Sequence, residues 1–207
     1  HAAGSGAHLH LSLWRDGLNI LPNPQGLGGL SPEGLSFIAG ILNHLPALCA
    51  VLNPATNSYR RLVPSSWSGS HGIWGFENRE TAVRVLGGPQ GSPHFELKTP
   101  DCSANPYLAM GAILSAGLDG LERNLHPGEP VNCDPATLSP AERELLGVRP
   151  LPSSLLQAIE AFSKNSVLLN AMGPALAKAF LAVRQSEWNH MREFTHEDEV
   201  KLLLTRY

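Results

Sequence analysis

The chain has 207 residues, 43% of them hydrophobic and 16% charged, with a formal net charge of −3 at pH 7. That composition excludes a disordered chain and supplies no basic surface for nucleic acid or an anionic membrane. Its cysteines, Cys49, Cys102 and Cys133, are too scattered for a disulfide framework or a C-x-x-C site, and read as buried structural thiols in a reducing compartment.

Taken in chain order, the segment 7–14 alternates as a strand. Arg15-Asp16-Gly17 is a turn signal, and Leu18–Leu21 is expected as the partner strand. Ser31-Pro32-Glu33 opens a helix with Leu35, Ile38, Ile41, Leu42 and Leu45 on its apolar stripe, and Pro46 is expected to end or kink it. No uninterrupted apolar run approaches the roughly 18 residues needed to span a bilayer. Pro64–Gly72 is a Ser/Gly-rich loop of the kind that is mobile or functional. Strands are expected at 73–76, 81–86 and 94–98, with 79–84 also strand-like. A long helix follows from Asn105-Pro106 to about Leu125.

The last third is helical. Ser139-x-x-Glu142 and Ser154-x-x-Gln157 are capping-box patterns. Pro174 opens a helix with Leu176, Phe180, Val183, Trp188 and Met191 expected on its buried side, and Thr195 opens the terminal helix. Strands followed by grouped helices define an α+β fold with a mainly antiparallel sheet.

The chemistry lies in the strand alternation. Residues at i, i+2 and i+4 share a face, so His8, His10 and Ser12 lie together, backed by Leu9, Leu11 and Leu13. His94, Glu96 and Lys98 likewise share a face backed by Phe95 and Leu97. The histidines fit either a metal face or a hydrogen-bonded surface pair. Glu96 fits either a hard-metal ligand or an ion-pair partner of Arg79, Arg84 or Lys98. Arg61, Arg79, Arg84 and Lys98 are cations suited to carboxylate and phosphoryl groups. No Walker loop, dinucleotide fingerprint or nucleophile elbow is present in the sequence.

Several motifs in order resemble the glutamine synthetase family: G-S-G-A-H-L-H-L-S-L (4–13), N-P-A-T-N-S-Y-R-R-L-V-P (53–64), E-N-R-E-T-A-V-R (77–84), F-E-L-K-T-P-D-C-S-A-N-P-Y-L (95–108) and G-L-D-G-L (117–121). The resemblance spans the whole chain and implies the C-terminal part of that family's catalytic domain. It also implies a curved sheet that carries the active-site face, packed with helices. His1 at the start, in place of Met, fits a longer polypeptide.

The implied chemistry is ATP-dependent phosphorylation of the glutamate γ-carboxylate, with Mg2+ or Mn2+ as cofactor. Ammonia or another amine then displaces the phosphate. The resemblance makes His8 and Glu96 metal ligands and puts His10, Ser12 and Arg84 on the nucleotide side. Arg61 holds the glutamate carboxylate, with Gly4 lining the glutamate pocket. Arg79 and Arg84 serve the phosphoryl group.

Three departures stand out. Trp67 occupies the position of the family's flap glutamate, Lys98 that of an arginine, and Ala3 that of an asparagine. Together with W-G-x-E-N-R-E and the terminal L-L-x-R-Y, they resemble the nodulin/glutamine-synthetase-like branch. A larger amine than ammonia is one implied consequence. A non-catalytic scaffold or a nucleotide- or glutamate-binding regulator is the alternative. The family's ring-shaped homo-oligomers, its sites shared between subunits and a cytoplasmic location complete the expectations.

Overall fold

The computed structural model describes residues 4–87 and 92–205. Ala3, most of the Gly87–Pro93 loop and the Arg206-Tyr207 end fall outside them.

The strands are β1 (Leu9–Leu11), β2 (Trp14–Arg15), β3 (Leu18–Asn19), β4 (His71–Phe76), β5 (Thr81–Leu86) and β6 (His94–Leu97). The helices are α1 (Pro32–Leu52), α2 (Pro106–Glu122), α3 (Pro140–Leu145), α4 (Leu155–Ser163), α5 (Ser166–Met172), α6 (Pro174–Met191) and α7 (His196–Leu203). The main sheet runs β1-β6-β5-β4. β6 pairs antiparallel with β1 and with β5, and β4 pairs parallel with β5. The sheet is therefore mixed, its antiparallel part carrying the polar face.

The expected first strand is interrupted. Only Leu9–Leu11 joins the sheet, and Trp14–Arg15 forms a separate two-stranded ribbon with Leu18–Asn19. Asp16 (φ 51°) and Gly17 (φ 78°) make its turn with two positive φ values, the tight-hairpin geometry that Asp-Gly favours.

α1 begins as its sequence demands, with Ser31 Oγ accepting from Gly34 N–H at 3.0 Å. Pro46 neither ends nor breaks it, and the helix runs on to Leu52. It is long and apolar enough by composition to cross a membrane, which corrects the expectation drawn from uninterrupted runs. Here it is the core helix, packed on α2, α4 and β4. α1 and α2 cross backbone to backbone. A Cβ added at Gly40 would stand 2.2 Å from Ala116 O, and one at Gly120 would stand 2.1 Å from Ser36 O.

The sheet's apolar back completes the core. Val83, Val85, Phe95 and Leu97 are buried, and the Phe95 ring lies 5.7 Å from that of Phe37 on α1. On α6 the expected buried side holds for Phe180, Trp188 and Met191 and fails for Leu176 and Val183. Leu176 and Val183 are exposed, whereas Ala177 and Met191 are buried and Phe180 and Trp188 pack against the core. Arg184 donates to Pro54 O at 2.8 Å from the same helix.

Ser139 and Glu142 form a complete capping box. Ser154 caps Gln157 N–H, but the Gln157 side chain accepts from Ser153 instead. Cys49 is buried, and burial pushes its thiol up to about 12. Cys102 and Cys133 are exposed, contrary to expectation, because both lie in loops outside the core.

Candidate active site

The register of β1, β6 and β5 lines up one row across the polar face: His10 opposite Glu96, and Glu96 opposite Arg84. One step along, the same register sets His8, Lys98 and Ala82 in a second row, and Lys98 N–H donates to Ala82 O at 2.9 Å. The alternation read from the sequence is therefore assembled into a grid, with Glu96 at its centre.

Glu96 is only 3% exposed. Its Oε1 lies 2.7 Å from His8 Nδ1, 3.8 Å from His10 Nε2 and 3.7 Å from Lys98 Nζ. Its Oε2 lies 2.9 Å from Arg84 Nε, but off the line of that N–H, so neither atom gains an aligned hydrogen bond. The ion-pair reading of Glu96 thus holds for Arg84 and Lys98, and not for Arg79. A buried carboxylate oxygen still without a directed donor is also what a metal ligand offers before its ion arrives.

Burial lowers the His8 pKa, Lys98 lowers it further, and Glu96 opposes both. His8 is thereby biased toward the neutral imidazole that metals take. Its Nε2 faces Gly6, where an added Cβ would stand 3.0 Å away, so glycine keeps that side open. Together His8 and Glu96 make an imidazole–carboxylate pair. Among the described residues no group of three His, Cys, Asp or Glu could complete a metal site.

Lys98 is 3% exposed, and burial depresses its pKa. The His10 ring lies 5.2 Å from that of His94 at the open edge of the face. Ser12 Oγ accepts from Trp14 Nε1 at 2.8 Å.

Arg61 stands apart from this row. Its guanidinium donates to the backbone carbonyls of Lys98, Thr99 and Pro100 and to Asn53 Oδ1, clamping the exit of β6. Burial lowers its pKa and Asp101 opposes the shift. Arg61 also lines a cleft of about 660 Å³ with Gly4, Ser5, Asn57 and Ser66. A Cβ at Gly4 would stand 2.8 Å from the Arg61 side chain, so Gly4 lies directly over that residue.

Arg79 is not on a strand. It precedes β5, is exposed, and holds its guanidinium 5.3 Å from the centre of the Trp67 ring. Trp67 is 60% exposed with φ 59°, in a loop where Ser65 and Gly69 also have positive φ. Its backbone N–H donates to Glu80 Oε1 at 3.1 Å.

Glu80 was not singled out by sequence reasoning. The signal was available: Glu80, Ala82 and Arg84 continue one alternation, which extends the polar face by a carboxylate.

These features define a sheet-borne site with a buried carboxylate, an imidazole and several cations, an arrangement suited to phosphoryl chemistry at a metal. The comparisons give the family. The sequence model of the glutamine synthetase catalytic domain matches residues 1–203, and the chain belongs to that family.

A gamma-glutamylpolyamine synthetase of Streptomyces coelicolor is 45% identical over 188 residues, covering 89% of this chain and 40% of its own length. A glutamine synthetase of Thermococcus kodakarensis is 40% identical, with coverage of 96% and 44%. A solved structure of GmaS with ADP superposes with a TM-score of 0.80 at 35% identity, covering 98% of this chain and 46% of that one. The chain thus spans less than half the length of the relatives it matches.

Proposed function

We propose that the full-length polypeptide is an ATP-dependent carboxylate–amine ligase of the glutamine synthetase type. It phosphorylates the γ-carboxylate of glutamate and joins the acyl group to ammonia or a larger amine. The observation that carries this reading is Glu96, buried at the centre of a three-strand row with an oxygen that has no directed hydrogen bond. A core built for stability alone gains little from such a group, because a buried charge cluster seldom outperforms apolar packing.

His8 and Glu96 are the residues that would hold Mg2+ or Mn2+. Such an ion neutralises phosphate charge and polarises the transferring group. Arg84 and Lys98 add fixed positive charge beside it, where negative charge builds as phosphate moves. His10 and Ser12 lie toward the nucleotide. Arg61 and Gly4 flank the cleft offered to glutamate. Lys98 acts as a point charge where an arginine would make a two-pronged contact.

Trp67 favours an amine larger than ammonia, since an indole covers an alkyl chain and accepts no proton. A nodulin/glutamine-synthetase-like placement rests on Trp67, Lys98, the W-G-x-E-N-R-E run and the terminal L-L-x-R-Y. A cytoplasmic ring of subunits, each completing its neighbour's site, belongs to the same reading. A non-catalytic scaffold is the second reading, favoured by Trp67 and Lys98.

The test is Mg2+-dependent ADP release by the full-length polypeptide with glutamate and a panel of primary amines. Turnover with at least one amine supports the ligase. ATP binding without turnover on any amine supports the scaffold and contradicts the ligase.

A further inference from the structure

Glu80 is a carboxylate that the site described above does not use. It is 8% exposed, and among the described residues its Oε1 accepts a single hydrogen bond, from Trp67 N–H. No cation stands within 4 Å of it among the described residues, and its Oε2 has no hydrogen-bond partner among them. A buried carboxylate with one neutral donor is under-compensated.

The fold nevertheless fixes it in place. Asn78 Oδ1 accepts from Glu80 N–H at 3.0 Å, and Asn78 Nδ2 donates to Val131 O and Cys133 O. Glu80 lies in the turn just before β5, close enough to Lys98 to support its charge.

We propose that Glu80 receives the attacking amine in its ammonium form, beneath the Trp67 indole. The substrate class is a primary alkylamine, and the inference rests on the ligase reading above. The geometry places a carboxylate 3.1 Å from the backbone nitrogen of the residue whose side chain lacks the acid. The turn before β5 therefore supplies the charge that Trp67 does not. Arg79 over the indole shows that this ring face accepts a cation.

In the step, an N–H proton of R–NH3+ passes to the Glu80 carboxylate. The freed lone pair forms the C–N bond at the γ-acyl carbon of the glutamyl phosphate. The C–O bond to phosphate breaks, with its electron pair leaving on the phosphate oxygen. A second N–H proton goes to the departing phosphate.

The experiment uses the full-length polypeptide and Glu80→Gln, whose amide oxygen still accepts from Trp67 N–H. ATP-dependent product formation is compared with ammonium chloride, ethylamine and hydroxylamine. Hydroxylamine is uncharged near neutral pH and needs no proton acceptor before attack. Turnover with ammonium and ethylamine is expected to fall about a hundredfold relative to hydroxamate formation. Equal loss on all three nucleophiles assigns Glu80 to the fold and overturns the proposal, as does no loss on any. An unmodified polypeptide that forms no product with any of the three overturns the ligase reading and, with it, this one. Should Glu80→Gln fail to fold, Glu80→Asp serves the same comparison: it too loses more amine turnover than hydroxamate formation, and equal loss overturns the proposal.

Discussion

The two faces of the main sheet solve opposite problems. Behind it, Phe95, Leu97, Val83 and Val85 are buried, and Phe95 packs on Phe37 of α1; α1 in turn meets α2 with no side chain between Gly40 and Gly120. That region is governed by volume: a single added methyl meets backbone atoms. In front, His8, Arg84 and Lys98 converge on Glu96, and little of the arrangement is explained by packing. The back holds the chain folded, and the front uses that rigidity to keep charged groups at fixed separations. Their response to substitution should differ in kind, with the back failing in stability and the front in turnover.

The largest expected effect would break the back. Gly40→Val forces a branched side chain onto Ala116 O and Gly120, and should cost about 4 kcal/mol or more in urea unfolding. A cost under about 1 kcal/mol would mean that the helices can part freely.

The next effect sharpens the front. Trp67→Glu puts an acid where the resemblance sets the family's flap glutamate, and should raise turnover with ammonia relative to ethylamine about tenfold. An unchanged ratio would show that Trp67 does not select the amine.

A smaller effect links the sheet edge to pH. Burial and Arg143 hold His71 below its ordinary 6.5, with Asp134 opposing. The unfolded chain then binds the proton more readily than the folded one. Stability is fully present above pH 6.5 and declines as pH falls through 6.5 toward the folded-state value. Urea midpoints at about pH 7.5 and about pH 5.5 should differ less for His71→Gln than for the unmodified polypeptide. An equal difference would contradict the role of His71.

The smallest effect marks where the back ends. Gly111 lies on α2 with nothing within 4 Å of an added Cβ, so Gly111→Ala should stabilise by about 1 kcal/mol. The same helix thus carries two glycines that pack on α1, Gly117 and Gly120, and one, Gly111, that does not. Destabilisation at Gly111 in a thermal melt would show that a surface covers that position.

How far the sequence revealed this division follows from the range of each interaction. Local signals were readable. Ser31 and Asn105 cap their helices, Asp16-Gly17 turns the hairpin, and alternation set His8 with His10 and Glu96 with Lys98. Long-range pairings were not. Nothing local says that β4 runs parallel to β5, or that Arg184 would reach Pro54. Arg79 lies in a turn that Asn78 closes onto Glu80 N–H and Thr81, and its guanidinium stacks on Trp67, twelve residues away. For Glu80 the spacing to Arg84 was readable, but its contact with the Trp67 backbone, across a separate loop, was not.

The most direct test of the central claim is Glu96→Ala in the full-length polypeptide, with ADP release and urea unfolding measured on one preparation. Removing the carboxylate leaves Arg84 and Lys98 without their buried counter-charge, which should cost about 3–5 kcal/mol of stability. The account predicts a variant that still unfolds cooperatively and whose Mg2+-dependent ADP release falls by about a thousandfold or more. A folded variant that keeps turnover within about tenfold of the unmodified polypeptide would show that Glu96 serves only the sheet, and would contradict the account.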